Sequence, residues 1–354
     1  MKLYNNLSKK ERAVLIEQAG KDRLTISFYK YAKIGNPELF RNHMFLAWNE
    51  LDVLGRIHVA NEGINAQLSI PADNFEAFKH HLDSISFLEN VRLNIAVEHD
   101  NFSFLKLKVK VRDKILADGL NDQTFDVTNK GQHLNAEKFN ELIDNPNTIL
   151  VDMRNHYESE IGHFKNAVIP DVDTFRESLP IIEEDLKDFK ADKNLVMYCT
   201  GGIRCEKASA YYKHKGFKNV FQLEGGIINY VHEVQEKGLE NKFIGKNFVF
   251  DERRSEKISD DIIANCHQCG KPADTHVNCA NEACHLLFIQ CDECKEKMEN
   301  CCSTNCMEIN RLPYEEQKEM RKGQGNSNDI FKKGRADHLP YKKDLRNIFE
   351  NFTP

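Results

Sequence analysis

No apolar run in this sequence approaches the roughly 18 residues of a bilayer-spanning helix, so a helical membrane protein is excluded. The start of the chain, Met1, Lys2 and Leu3 followed by Asn5, Asn6, Ser8, Lys9 and Lys10, has no hydrophobic stretch of a signal peptide, and a cytoplasmic location is expected. Cysteine is absent from the first 198 residues, and Trp48 is the single tryptophan. A positive excess is missing too. The net charge of -6 argues against binding nucleic acid through total charge, which leaves a local basic stripe as the only electrostatic route. No internal repeat is present. What remains is a chain of 354 residues, 40% hydrophobic and 29% charged, with the composition of a soluble globular protein. At roughly 100–200 residues per domain, two or three domains are expected.

The 11 cysteines fall into two groups: Cys199 and Cys205 in mid-chain, and the rest between Cys266 and Cys306. In a reducing compartment such groups read as catalytic thiols or metal ligands rather than disulfides. Two separate tasks are implied.

Residues 1–20 are expected to form an N-terminal helical segment. Leu24 to Lys30 is rich in β-branched and aromatic residues, as a strand is, and 37–52 carries a helical apolar pattern through Leu39, Phe40, Met44 and Leu51. Two strands around the turn Asn61-Glu62-Gly63, a helix over Asn74 to Leu82 and a closing strand over Val91 to Val97 complete a βαββαβ order. That order predicts a ferredoxin-like α+β domain, which with the following strand spans 21–112. From Phe104 to Arg112 the chain alternates, with Leu105, Leu107, Val109 and Val111 on one face and Lys106, Lys108, Lys110 and Arg112 on the other. Two readings fit this cationic face: an edge strand kept soluble by lysines, or a stripe that follows nucleic-acid phosphates.

After a linker over 113–130, short apolar strands separated by helical patterns run through 131–240 (Ile149 to Val151, Leu195 to Tyr198, Val220 to Leu223). This rhythm predicts a doubly wound parallel α/β sheet with its site at the carboxyl ends of strands. Cys199 stands at such an end. The loop Cys199-Thr200-Gly201-Gly202-Ile203-Arg204 leads into a helix beginning near Cys205, so loop amides, helix N-terminus and Arg204 all favour a thiolate. The thiol is expected to be partly exposed. Cys205 reads equally as a resolving thiol or as a small packed residue. A charged linker is expected over 241–262 and a flexible basic tail over 309–354.

Within 263–308 the spacings Cys266-x2-Cys269, Cys279-x4-Cys284, Cys291-x2-Cys294 and Cys302-x3-Cys306 supply four ligand pairs, enough for two tetrahedral tetrathiolate zinc sites. Interleaved pairing, first with third and second with fourth, is preferred over adjacent pairing. Cys301 and Cys302 compete for one position, and iron–sulfur ligation is the alternative chemistry.

The Cys199 loop resembles the rhodanese active-site loop. Val151-Asp152-Met153-Arg154, Glu158, the stretch Gly162 to Pro170 and Leu223-Glu224-Gly225-Gly226 resemble further rhodanese segments, and Asp152 with Arg154 reads as a buried ion pair. The four residues between Cys199 and Arg204 match the sulfurtransferase loop length rather than the longer phosphatase loop. Taken together, the domain order, Asn61 to Asn65, Phe104 to Arg112 and Cys199 to Lys207 resemble the rhodanese-like, oxygen-dependent tRNA uridine hydroxylases (the tRNA hydroxylation protein O family). The resemblance implies hydroxylation of wobble uridine to 5-hydroxyuridine with O2 and an unidentified reductant, acting on the anticodon region of tRNA. No flavin fingerprint or iron-binding facial triad is visible. A persulfide sulfurtransferase and a non-catalytic tRNA-binding scaffold are the competing readings. Oligomeric state is not legible.

Overall fold

A computed structural model describes residues 9–322 and 333–342. Helix α1 (Lys9–Ala19) fills part of the expected N-terminal helical segment, and residues 1–8 lie outside the described residues. The first domain runs β1 (Arg23–Tyr31), α2 (Pro37–Glu50), β2 (Leu54–Ala60), β3 (Gly63–Pro71), α3 (Phe75–Asp83), β4 (Asn94–Ile95) and β5 (Leu107–Val111). Its sheet has the order β4-β1-β3-β2-β5, with only the β2–β5 pair parallel. The expected βαββαβ order holds, although the closing strand is confined to Asn94 and Ile95.

Period-two alternation explains both faces of this sheet. Ile26, Phe28, Ile57, Val59, Ala66, Leu68, Leu107 and Val109 are buried on one side around Trp48, whose ring meets Phe28 edge-on and tilts against Phe78. The other face is polar. Strand register aligns Asn94, Ser27, Gln67, Arg56 and Lys108 in one row across all five strands, and Tyr29, Asn65, His58 and Lys110 in the next. At about 4.8 Å per strand step, roughly 19 Å separates Asn94 from Lys108.

The central domain runs β6 (Gln132–Leu134), α4 (Ala136–Ile143), β7 (Thr148–Asp152), α5 (His156–Ser159), β8 (Gly162–Phe164), α6 (Phe175–Asp185), β9 (Asn194–Tyr198), α7 (Ile203–His214), β10 (Asn219–Leu223) and α8 (Gly226–Lys237). Four of these strands form the expected parallel sheet in the order β6-β10-β9-β7. Val151, Leu195 and Met197 pack with residues of α6 and α7 on one face, while Leu150, Val196 and Tyr198 pack with α4 and α8 on the other.

Residues 241–262 depart from the linker expectation. Strand β11 (Phe243–Phe248) pairs antiparallel with β8 and with β12 (Ser255–Lys257). The charge density that suggested a linker is internally neutralised, because Arg253 pairs with Asp251 and Glu256 at 2.6 Å each in nearly buried positions. Residues 113–130 carry no helix or strand, and Asp118 within them is buried.

The Cys-rich region forms a hairpin of β13 (His276–Asn278) and β14 (Leu287–Ile289) followed by α9 (Asp292–Lys297), α10 (Thr304–Arg311) and α11 (Tyr314–Arg321). The tail expected to be flexible from 309 is helical over 314–321, and Ala336 and Leu339 return to the cysteine-lined core with Leu286 and Phe288. The Gly323 to Asn328 run lies outside the described residues. No helix among the described residues is long and apolar enough to cross a membrane.

Asp152 and Arg154 form the buried ion pair read from the sequence, 2.7 Å apart and without solvent exposure. Asp152 also accepts from the Tyr198 hydroxyl at 2.7 Å and the Ser159 hydroxyl at 2.9 Å, and Arg154 donates to the Gly162 carbonyl at 2.6 Å. One buried charge pair thereby joins β7, α5, β8 and β9. Removing one partner of a buried pair leaves an uncompensated charge. Arg154→Leu should therefore lower the unfolding free energy by about 3–5 kcal/mol, measured by denaturant titration of far-ultraviolet circular dichroism.

Candidate active site

Strand β9 ends at Tyr198, and the next residue, Cys199, opens a turn that closes at the start of α7. Gly202 takes φ of 97° there, a conformation that glycine adopts without penalty, and a Cβ on it would stand 2.9 Å from the Tyr29 hydroxyl. Its N–H donates to Cys199 Sγ at 3.1 Å. Gly226, at the start of α8, must also be bare, since a Cβ would fall 2.5 Å from the Cys199 carbonyl oxygen.

Burial pushes the Cys199 thiol up, but hydrogen bonding from Cys205, the charge of Arg204, and the backbone N–H groups of Cys205 and Arg204 outweigh it, bringing it down to about 6. Burial, and then donation of its S–H to Cys199, hold Cys205 well above the usual thiol range. Cys205 is fully buried and hydrogen-bonded to Cys199. Arg204 is not a free cation. Its guanidinium forms two hydrogen bonds of 2.7 Å with the buried Glu158 carboxylate and lies over Phe250, 5.8 Å from the ring centre.

Cys199 itself is only 1% exposed, contrary to the partly exposed thiol expected from the sequence. The cause is the first domain, whose polar sheet face lies over the loop. Asn94 donates to the Gly201 carbonyl at 3.3 Å, and the Tyr29 hydroxyl donates to Glu206 on α7 at 3.2 Å. Glu206 also takes His133 at 2.8 Å and Lys130 at 2.5 Å, which together outweigh burial and hold its carboxyl below the ordinary glutamate range. One residue on, Lys207 reaches Glu62 at 2.9 Å and Asp122 at 2.5 Å. Tyr29, Asn94, His133 and Lys130 carried no sequence signal, because each meets the loop or its helix from far along the chain.

Two openings flank the loop. One is a small cavity of about 40 Å³, lined by Ser27, Gln67, Asn94, Thr200, Phe250 and Glu256 among others. The other is a larger cleft of about 390 Å³ beside Tyr29, Tyr31, Arg92, His133 and Gly225. Lys106, Lys108, Lys110 and Arg112 lie apart from the thiol, at the far edge of the same sheet face, with Lys108 and Lys110 exposed.

In the C-terminal region the structure brings the cysteines together in interleaved pairs: Cys266, Cys269, Cys291 and Cys294 in one group, and Cys279, Cys284, Cys302 and Cys306 in the other. All four sulfurs of each group lie within 4.8 Å of one another. Cys302, not Cys301, takes the contested position, and the Cys301 thiol turns to the Glu299 carbonyl at 3.6 Å.

Three family models match this chain: the UPF0176 acylphosphatase like domain over 23–115, the Rhodanese-like domain over 135–233, and Rhodanase C-terminal over 244–307. Fold and thiol loop thus define a protein built on a central rhodanese domain. The chain is 56% identical over 334 residues to a tRNA uridine(34) hydroxylase of Photorhabdus laumondii, covering 94% of this chain and 95% of that protein. Proteins of the same name from Leptospira interrogans and Pectobacterium carotovorum are 54% and 53% identical, over 94% of this chain and 90% and 94% of theirs. The chain belongs to the tRNA uridine(34) hydroxylase family, which places the hydroxylase reading above the sulfurtransferase one.

The thiolate is directly measurable. The ultraviolet thiolate absorbance of the wild type minus that of Cys199→Ser should show one ionisation with a midpoint of about 6. Cys205→Ala should move that midpoint upward, because the S–H donor to the anion is lost.

Proposed function

We propose that this protein hydroxylates the wobble uridine of tRNA to 5-hydroxyuridine, with O2 and an external reductant as co-substrates and Cys199 as the reacting group. One observation carries the reading: a thiol tuned to ionise near neutral pH sits beneath a polar sheet face whose far edge is cationic. The reacting atom and a phosphate-binding edge then belong to one surface. Anticodon-loop bases can be splayed from their stack, so the reaction needs no duplex opening.

Addition of the Cys199 thiolate to uracil C6 places an electron pair toward C5, the carbon to be oxygenated. The Gly202 N–H, the other loop amides and Arg204 stabilise negative charge on sulfur before attack and after departure. O2 delivers one oxygen atom to C5, and the two electrons of the reductant with two protons take the other to water. Elimination of the thiolate with loss of the C5 proton restores the ring double bond. In cells producing only Cys199→Ala, nucleoside mass spectrometry of total tRNA should find this chain's 5-hydroxyuridine lost. Wild-type levels would remove Cys199 from the mechanism.

The eight grouped cysteines fit two structural zinc ions. Zn–S bonds of about 2.3 Å in a tetrahedron require sulfurs about 3.8 Å apart. Cys269–Cys291 and Cys284–Cys302 stand at 3.6 Å, and Cys302–Cys306 at 3.8 Å. Zinc would hold the region together and, being redox-inactive, would carry no electrons. Elemental analysis should return about two zinc ions per chain, and iron with sulfide would replace this assignment.

Lys106, Lys108, Lys110 and Arg112 are assigned to tRNA phosphates. Partial burial, then Lys106, Lys110, Arg56 and Arg12, hold the Lys108 ammonium below its ordinary range, as expected of a convergent cationic patch. Each substitution by Gln should reduce the salt slope of tRNA binding by roughly 0.7–0.9 while sequence preference survives. An unchanged slope in a folded quadruple variant would return the strand to a solubility role.

A further inference from the structure

Glu256 on β12 is 0% exposed, yet only half of its carboxylate is used. Oε1 accepts from the Val97 N–H at 3.0 Å and from Arg253 at 2.6 Å, and the Glu98 N–H also faces the carboxylate, whereas Oε2 has no hydrogen-bond partner among the described residues. Burial, only partly offset by Arg253, holds the carboxyl above the ordinary glutamate range. A buried oxygen without a partner costs folding free energy, so its retention calls for a partner that arrives later.

Glu256 lines the small cavity, about 40 Å³, that opens beside the Cys199 loop. The loop contributes Thr200, whose hydroxyl oxygen is likewise buried without a partner among the described residues. From the first domain come Ser27, Gln67 and Asn94, all in the row that crosses the polar sheet face, and Phe250 supplies an aromatic wall. Acceptors, amide donors and a ring surface therefore converge one residue from the reactive thiol. That is the equipment for reading the hydrogen-bonding edge of an extruded base.

We propose that this cavity is the pocket for the target base, with Glu256 accepting the N3–H of uracil and the Gln67 amide donating to a ring carbonyl oxygen. The proposal rests on the hydroxylase reading and deepens it by assigning uridine selectivity to named residues. Cytosine presents a lone pair at N3, which a carboxylate oxygen repels, and so is rejected. The rest of the row explains how the RNA reaches the pocket. Gln67 is registered opposite Arg56, and Arg56 opposite Lys108. Two strand steps, about 10 Å, separate pocket from cationic edge. A base in the pocket thus leaves its flanking phosphates over Arg56 and the lysines.

The test uses the full-length protein with an anticodon stem-loop RNA carrying 4-thiouridine at the wobble position. After irradiation, peptide mapping should place the cross-link among the cavity residues Gln67, Thr200 and Phe250. Cross-linking at Tyr29, Tyr31 or His133, the opposite opening, would overturn the assignment. In steady-state assays on the uridine stem-loop, Glu256→Gln and Gln67→Leu should each lower kcat/KM by about 10–100-fold, the range for loss of a buried or charge-assisted hydrogen bond. Gln67 is only half-buried and its side chain makes no hydrogen bond among the described residues, so its variant tests the pocket even where Glu256→Gln fails to fold. Wild-type kinetics in Gln67→Leu would overturn the pocket while leaving hydroxylation of tRNA intact. Absence of hydroxylation by the wild-type protein would instead overturn the function on which the pocket rests.

Discussion

The ammonium of Lys207 is the constraint around which the site is assembled. It projects from the first turns of α7 into a position where the residue is 2% exposed, and a buried cation is tolerable only when paired. Its partners come from two distant stretches: Glu62 in the turn between β2 and β3, and Asp122 in the segment joining the first two domains, with Asp118 at 3.8 Å. Tyr31 adds its ring face 5.1 Å away. Satisfying this one charge brings the first domain and the connecting segment down onto the helix that carries Cys205 and Arg204. The same closure makes the Tyr29–Glu206 and Asn94–Gly201 contacts and converts an open thiol loop into an enclosed one.

Enclosure changes the electrostatics in opposing ways. Removing water disfavours the thiolate, as burial of any anion does, but it also strengthens each fixed donor aimed at the sulfur. The donors prevail. They are a backbone N–H held by a left-handed glycine, neighbouring amides at a helix start, a thiol that keeps its own proton, and an arginine locked by Glu158. The Glu158–Arg204 pair costs Arg204 some of its reach toward sulfur. In return the guanidinium has a single orientation within a site assembled from parts of all three regions.

The C-terminal region follows a different rule. Its apolar core is small, built on a short hairpin and a few residues such as Leu286, Phe288 and Leu339, so cysteine sulfur supplies much of the interior. The interleaved grouping of the cysteines crosses the hairpin and pins segments that hydrophobic contact alone would hold weakly. His267, beside the first group, meets Glu160 of the central domain at 2.9 Å, so this region also braces the segment next to Glu158.

Patterns that depend on near neighbours were legible in the sequence. Alternation marked β5 and its lysines, the strand–helix rhythm marked the parallel sheet, and the paired cysteines and the Cys199 loop announced their chemistry, because each such signal lies within a few residues of chain. The run from Asp251 to Lys257 misled for the same reason: its charges look solvated until Arg253 is seen between Asp251 and Glu256, with β12 paired to β11. Burial of Cys199, the duties of Glu206 and Lys207, and the half-satisfied Glu256 arise from contacts between residues up to 177 positions apart. Local spacing determined which groups can react. Which of them are buried, paired or left facing a cavity was decided only when the domains closed, since desolvation and charge pairing depend on what the whole chain brings within a few ångströms.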